Sequence, residues 1–211
     1  LPYYHIGGNV ISDFRDGDGY FKKTTTVGDY VFHTRSYNTF FNMHSRCNPD
    51  SRFQFNNPKY AGSTVSEEFY DFDEFCNWSR SQIGYYHKDD NGKHYQLDSD
   101  LFKVDNNKTY SPSTACYIPA SVNTFLAHDK SSSSLLPTGV SLTPSNRFVA
   151  KIGKDNKQIH IGTYKTACEA SNAYKQAKGV QAMALLSQYD GRLDTRVVDK
   201  IVEMYAGATV H

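Results

Sequence analysis

Alternation of apolar and polar residues is clearest in the last third of the chain. In the run 147–152 the two faces of a predicted strand differ, with Phe148, Ala150, Ile152 on one and Arg147, Val149, Lys151 on the other. GVSLTP before this run and KQIHIGTY after it have the same period of two, with turn residues between them. Gly153 to Lys157 is predicted as a hairpin turn, since Asp and Asn tolerate left-handed backbone. The pattern predicts three short antiparallel strands.

The period then changes from two to that of a helix. Thr166 is a predicted N-cap, and Glu169 three residues later completes a capping box. The residues that follow at helical spacing are mostly small: Ala167, Ala170, Ala173, Tyr174, Ala177. A stripe of small side chains lets a helix lie close on a sheet, so we expect this helix to pack across the three strands. Thr195 to Tyr205 is predicted as a last helix.

The front of the chain is less regular. RSYNTFFNMHSRC has aromatic and His residues at helical spacing: Tyr37, Phe40, Phe41, His44. A second helix is predicted with Asp71 as N-cap, Glu74 three residues on and Gly84 as the stop. Its expected inner face is Phe72, Phe75, Cys76, Ser79, Ile83. Residues 3–32 are predicted to form strands and turns, with DGDG at 16–19 as a hairpin loop. Together these patterns predict an α+β fold.

The stretch YQLDSDLF, residues 95–102, carries two aspartates that alternate with leucines. Asp98 and Asp100 could be the water-facing side of a half-buried strand, because successive side chains of a strand point to opposite faces. They could also include one ligand of a metal site. Both interpretations are open at the level of the residues.

A Ser-rich segment divides the chain. AHDKSSSSLLPTG, residues 127–139, cannot build a core and is predicted to be a flexible joint. The predicted organisation is a β-rich segment of unknown role at 1–36, one domain at 37–126, a linker at 127–138 and a second domain at 139–211.

Charge is distributed unevenly between the two parts. Residues 137–211 carry 10 Lys and Arg against 6 Asp and Glu, net +4, whereas residues 1–136 carry 13 against 16, net −3, which together give the formal +1 of the chain. A basic C-terminal part suits a phosphate-backbone partner. No stretch approaches the roughly 18 apolar residues of a membrane helix, and the start has no pattern of a signal peptide. The four cysteines form no CxxC pair, which favours reduced thiols over a zinc site.

Residues 139–178 resemble the ethylene-response-factor (ERF) type of DNA-binding domain. The resemblance lies in the opening Gly-Val, the FVAKI strand, IHIGTY and the Ala-rich helix entered by KTACEA. In that family the sheet enters the major groove of DNA. Carried over by position, the DNA-facing residues are Ser141, Thr143, Arg147, Lys151, Gln158, His160. The plant members have arginines and tryptophans on this face, so the resemblance implies weaker or less specific contact here, since Ser and Thr discriminate little between bases.

Residues 37–126 resemble bacteriophage proteins described as HNH or homing-type endonucleases that carry the same C-terminal domain. The matching stretches are FNMHSRCN, NPKYAGSTVSEEFYDFDEFCNW, QIG, YQLDSDLF and YSPSTACYIPASVNTFL. The resemblance implies a ββα site that grips one Mg²⁺ or Mn²⁺ ion. By position, Asp98 and Asn123 are the expected metal ligands, and Asn106 or Asn107 falls near the Asn that orients the catalytic His. Ser99 stands where that general-base His is expected, and Ser accepts no proton near neutral pH without its own base; His94 could replace it only with a changed geometry.

Taken together, the two resemblances imply an HNH-like ββα domain followed by an ERF-like sheet and helix, in a phage protein that binds double-stranded DNA. Whether it nicks DNA with a degenerate site of Asp98, Asn107 and Asn123 is open. The alternative is a non-catalytic descendant, acting as a repressor or as a structural or accessory virion protein that contacts other phage proteins. The expected location is the host cytoplasm, or the phage particle if the role is structural, with no membrane partner. No nucleophile elbow, phosphate loop or paired glycosidase-type carboxylates favours an unrelated enzyme.

Overall fold

A computed structural model describes residues 19–27, 30–102, 108–127, 135–154 and 157–205. The fold is a mixture of helices and small sheets, which confirms the predicted α+β class. The strands are β1 Thr24–Val27, β2 Tyr30–His33, β3 Ser63–Val65, β4 Gln96–Asp98, β5 Lys108–Tyr110, β6 Cys116–Ile118, β7 Val140–Leu142, β8 Phe148–Lys154, β9 Lys157–Tyr164. The helices are α1 Arg35–Cys47, α2 Arg52–Asn56, α3 Phe72–Ser81, α4 Ala120–Ala127, α5 Ala167–Gln188, α6 Thr195–Tyr205. In these ranges no helix is both long and apolar enough to cross a membrane.

The chain folds into two units that do not follow its linear order. The first unit comprises residues 1–82 and 99–116, and the second comprises 83–98 and 117–211. The Ser-rich segment lies between α4 and β7, and both of these elements belong to the second unit. Residues 128–134 of the predicted joint lie outside the described residues, as do 16–18 of the DGDG loop.

The first unit is built around aromatic side chains from α1 and α3. Phe40 on α1 meets Phe72 and Phe75 on α3, with ring centroids 5.4 and 5.5 Å apart. Edge-to-face contacts of this kind add to the burial of apolar area that holds helices together. Beside them, β3 pairs in parallel with β5, with Val65 opposite Tyr110, and β1 pairs antiparallel with β2.

Helix α3 begins as predicted but ends early. The Asp71 carboxylate accepts a hydrogen bond from the Glu74 N–H at 2.9 Å, which caps the helix. The helix ends at Ser81, before Gly84. Ile83 was expected on the inner face but is 46% exposed, because it lies beyond the last helical turn. The other four expected inner residues are buried.

In the second unit, β7, β8 and β9 form a three-stranded antiparallel sheet in that order. Its inner face packs on α5, where Ala150 and Ile152 meet Ala170 and Tyr174. The capping box of Thr166 and Glu169 is present at the start of α5. These features confirm the predicted strands, the helix across them and the last helix, whose bounds are 195–205 as expected.

Helix α4 is joined to α5 within the second unit. Lys178 on α5 is only 4% exposed, and its Nζ donates to the Phe125 carbonyl near the end of α4 at 3.0 Å. The same ammonium lies 3.6 Å from the Phe125 ring centroid. A cation at the C-terminal end of a helix stabilises carbonyls that have no helical partner. The Ser121 and Tyr189 hydroxyls, 2.8 Å apart, add a second link.

Candidate nucleic-acid interface

The outer face of the β7–β8–β9 sheet, turned away from α5, is the candidate interface. The strand register pairs Lys151 with His160 and Gly153 with Gln158, and Ser141 with Val149. Lys151, Gln158, His160 and Ser141 are all exposed. Polar and cationic side chains therefore lie side by side on this face.

A β-bulge places His160 on the outer face. Ala150 is opposite Gly162, but Lys151 is opposite His160, so Ile161 is an extra residue on β9. Strict alternation from Thr163 would direct residue 161 outward and residue 160 inward. With the bulge, Ile161 packs against the core instead. His160 Nε2 then lies 3.2 Å from the Thr163 hydroxyl on the same face.

Two of the expected DNA-facing residues lie in the turn between β7 and β8. The Thr143 hydroxyl accepts from the Arg147 N–H at 3.0 Å and donates to the Arg147 carbonyl at 3.0 Å. Asn146 has φ of 58°, the left-handed backbone that Asn tolerates in turns. Thr143 and Arg147 are half-buried. The Thr143 hydroxyl thus holds the turn, and the other four expected residues lie on the exposed face.

The charge around this sheet is strongly positive. Residues 147–165 carry five Lys and Arg against one Asp, net +4. Lys154, Lys157 and Lys165 are exposed in addition to Lys151. The outward positions of the described strands carry no carboxylate. The resemblance did not include these three lysines or Thr163.

The two residues expected to hold a metal, Asp98 and Asn123, both belong to the second unit. Asp98 is half-buried at the end of β4, which pairs with β6, and α4 follows β6. Asn123 is half-buried within α4, and its N–H donates to the Pro119 carbonyl at 3.2 Å. Asn106 and Asn107 lie outside the described residues. Across the described ranges, no three His, Cys, Asp or Glu side chains cluster as a metal site.

Ser99 and its neighbours follow the burial expected of a half-buried strand. Tyr95, Leu97 and Ser99 are buried, while Asp98 is half-buried and Asp100 is exposed. The Ser99 side chain, 7% exposed, is hydrogen-bonded to Tyr110. Burial raises the pKa of Tyr110, an effect that Arg46 and Ser99 oppose. The position where a general base was expected therefore holds a buried hydroxyl with a structural partner.

The cysteines have no disulfide partners. Cys76 and Cys116 are buried, Cys47 is half-buried and Cys168 is exposed, all as free thiols. Burial raises the pKa of Cys47 to about 11, with the opposing effect of Arg46 being smaller. Free thiols agree with the expectation drawn from their spacing.

Comparison of the chain with protein-family models, curated proteins and solved structures gave no match.

Proposed function

We propose that the second unit binds double-stranded DNA through the outer face of its three-stranded sheet. The observation that carries this proposal is the exposed pair of Lys151 and His160, opposite each other in register on a face whose described strand residues include no carboxylate. The other face is closed by α5, which leaves the outer face for a ligand. The phosphate backbone supplies most of the affinity of such an interface through neutralisation by lysines and arginines.

The size of the sheet suits the major groove. Neighbouring strands lie about 4.8 Å apart, so the axes of β7 and β9 are about 10 Å apart. The major groove is about 12 Å wide and admits β-ribbons. The Gln158 amide has the donor and acceptor that match adenine, and the Lys151 ammonium can neutralise a phosphate. The exposed Lys154, Lys157 and Lys165 add positive charge near the sheet, which favours the approach of a phosphate backbone.

The ERF resemblance supports the same location. It predicts a three-stranded sheet with one helix across it, in which the sheet is the DNA-contacting element. The arrangement of β7, β8, β9 and α5 has this form. The proposal includes binding and assigns no cleavage, because Ser99 is buried and bonded to Tyr110.

A matched pair of lysine substitutions tests the proposal. Lys151→Gln removes one charge from the outer face, and Lys175→Gln removes one charge from an exposed position on α5, the helix that packs on the opposite face. Fluorescence anisotropy with a labelled duplex would be measured over a range of salt concentrations. We expect Lys151→Gln to weaken binding about tenfold and to lower the salt slope by about 0.9, with Lys175→Gln unchanged.

Equal effects of the two substitutions would show that binding does not use this face. Absence of duplex binding by the unmodified protein at low salt would refute the proposal outright.

A further inference from the structure

The first unit presents aromatic side chains that are left uncovered. Phe55 on α2 is 86% exposed and Phe53 on the same helix is 40% exposed. Burial of a Phe ring stabilises a fold, so the exposure of these two rings gives up stability. Contiguous exposed apolar patches, more than single exposed residues, mark binding surfaces.

Helix α2 has only five residues and is held in place by side-chain hydrogen bonds. Gln54 between the two phenylalanines is buried, and its Nε2 donates to the Arg46 carbonyl at 2.8 Å and to the Tyr60 carbonyl at 3.3 Å. The Ser51 hydroxyl caps the helix by accepting from the Gln54 N–H at 3.0 Å. These bonds fix α2 to the end of α1 and to the Tyr60 turn, so the position of Phe55 on the surface is set before any ligand binds.

Two cations lie over the ring of Tyr60, which Phe53 contacts. The Arg46 guanidinium lies 5.3 Å and the Lys59 Nζ 5.1 Å from the Tyr60 ring centroid. The Phe53 ring contacts the same tyrosine, with centroids 5.6 Å apart. Arg52 is exposed on α2 itself, next to Phe53. We call this set the α2 surface: Arg46, Arg52, Phe53, Phe55, Lys59, Tyr60.

The positive charge of the α2 surface favours an anionic ligand. Residues 46–60 carry three Lys and Arg against one Asp, Asp50. Tyr70, another exposed aromatic residue of the same unit, has acidic rather than basic neighbours in the sequence: Glu67, Glu68 and Asp71. A cationic surface with uncovered rings has the two elements that bind single-stranded nucleic acid: rings on which bases stack and positive charge for phosphates.

We propose that the α2 surface binds single-stranded nucleic acid, with an unstacked base on Phe55 and phosphates near Arg52 and Lys59. Duplex DNA offers no free base face to Phe55, so the ligand of this surface differs from that of the sheet in the second unit. The proposal is independent of duplex binding, because it rests on residues of the other unit.

Anisotropy titrations with labelled oligo(dT) and oligo(U) at low salt test this proposal, and the two strands distinguish DNA from RNA as the source. Phe55→Ala is expected to weaken binding about tenfold, within the range found for stacking aromatics. Phe55→Trp should retain binding, because indole also stacks. Arg52→Gln should lower the salt slope by about 0.7, the value per phosphate of a single strand. Tyr70→Ala, which removes another exposed ring (62% exposed) from an acidic setting, should have no effect.

Duplex titrations of the same variants keep the two proposals separate. Phe55→Ala should leave duplex affinity unchanged, and Lys151→Gln should leave single-strand affinity unchanged. If the unmodified protein binds neither oligonucleotide, or if Phe55→Ala and Tyr70→Ala behave alike, the α2 surface does not bind single strands. If the protein binds no oligonucleotide, and Phe55→Ala instead weakens its binding to another protein, the α2 surface belongs to a protein partner and the proposal is overturned.

Discussion

Gly139, immediately before β7, links the core of the second unit to the proposed DNA-contacting strand. Its φ is +75°, and an added Cβ would lie 2.1 Å from Cδ2 of Tyr174, a core residue on α5. Its carbonyl accepts the Lys151 N–H at 2.9 Å. Gly139→Ala should therefore perturb both the packing of α5 and the position of β8.

The expected magnitude has two parts. An L-residue with left-handed backbone costs about 1–2 kcal/mol. Tyr174 is 9% exposed and packed among other side chains, so its ring cannot swing away, and overpacking of this kind costs about 1–3 kcal/mol. The free energy of unfolding of the second unit should fall by about 2–5 kcal/mol.

Gly191 supplies a matched control in the same unit. Its φ is +66°, but no atom lies within 4 Å of an added Cβ. Gly191→Ala should therefore cost only the backbone part, about 1–2 kcal/mol. Urea unfolding followed by far-UV circular dichroism would give both values, and their difference isolates the overlap with Tyr174. Equal losses in the two variants would refute the steric argument, and no loss in Gly139→Ala would refute the backbone argument as well.

Two further predictions concern the N-terminal cap of α5 and the pKa of His44. Thr166→Ala should lower the free energy of unfolding by about 1 kcal/mol through loss of the α5 cap, while Thr166→Ser should retain it, as measured by urea midpoints. Burial lowers the pKa of His44 below its ordinary 6.5, although its hydrogen bond with the Phe69 carbonyl acts in the opposite direction. The unfolded chain then binds the proton more readily, so stability of the first unit should be full above pH 6.5 and decline as pH falls through the lower folded pKa. Urea unfolding followed by the fluorescence of Trp78, the single tryptophan, would measure the stability at each pH. His44→Gln should remove the dependence of stability on pH.

Local signals in the sequence predicted the C-terminal elements well. Caps such as Thr166 with Glu169, and alternation such as that of residues 147–152, involve residues close in the chain. The bulge at Ile161 was not predicted, because it depends on how β9 pairs with β8. Without it, the placement of His160 on the outer face could be expected only from the resemblance.

Features that depend on distant residues were predicted less well. Gly84 was interpreted as a helix stop, but an added Cβ there would lie 2.4 Å from the Tyr117 carbonyl oxygen, so this glycine permits a close backbone approach. The parallel pairing of β3 with β5 joins segments more than forty residues apart. The α2 surface was missed for a different reason: the Gln54 side chain that holds α2 bonds to backbone carbonyls of Arg46 and Tyr60, and a pattern of side-chain types does not signal such bonds.

Backbone and side-chain NMR shifts of the protein, titrated with a short DNA duplex, test the central claim most directly. We predict that the largest shifts occur at the outward residues Lys151, Gln158 and His160, with little change at Lys175 on α5. Shifts centred on α5 or on the first unit, with the outer face unchanged, would contradict the assignment of the sheet as the DNA-binding surface.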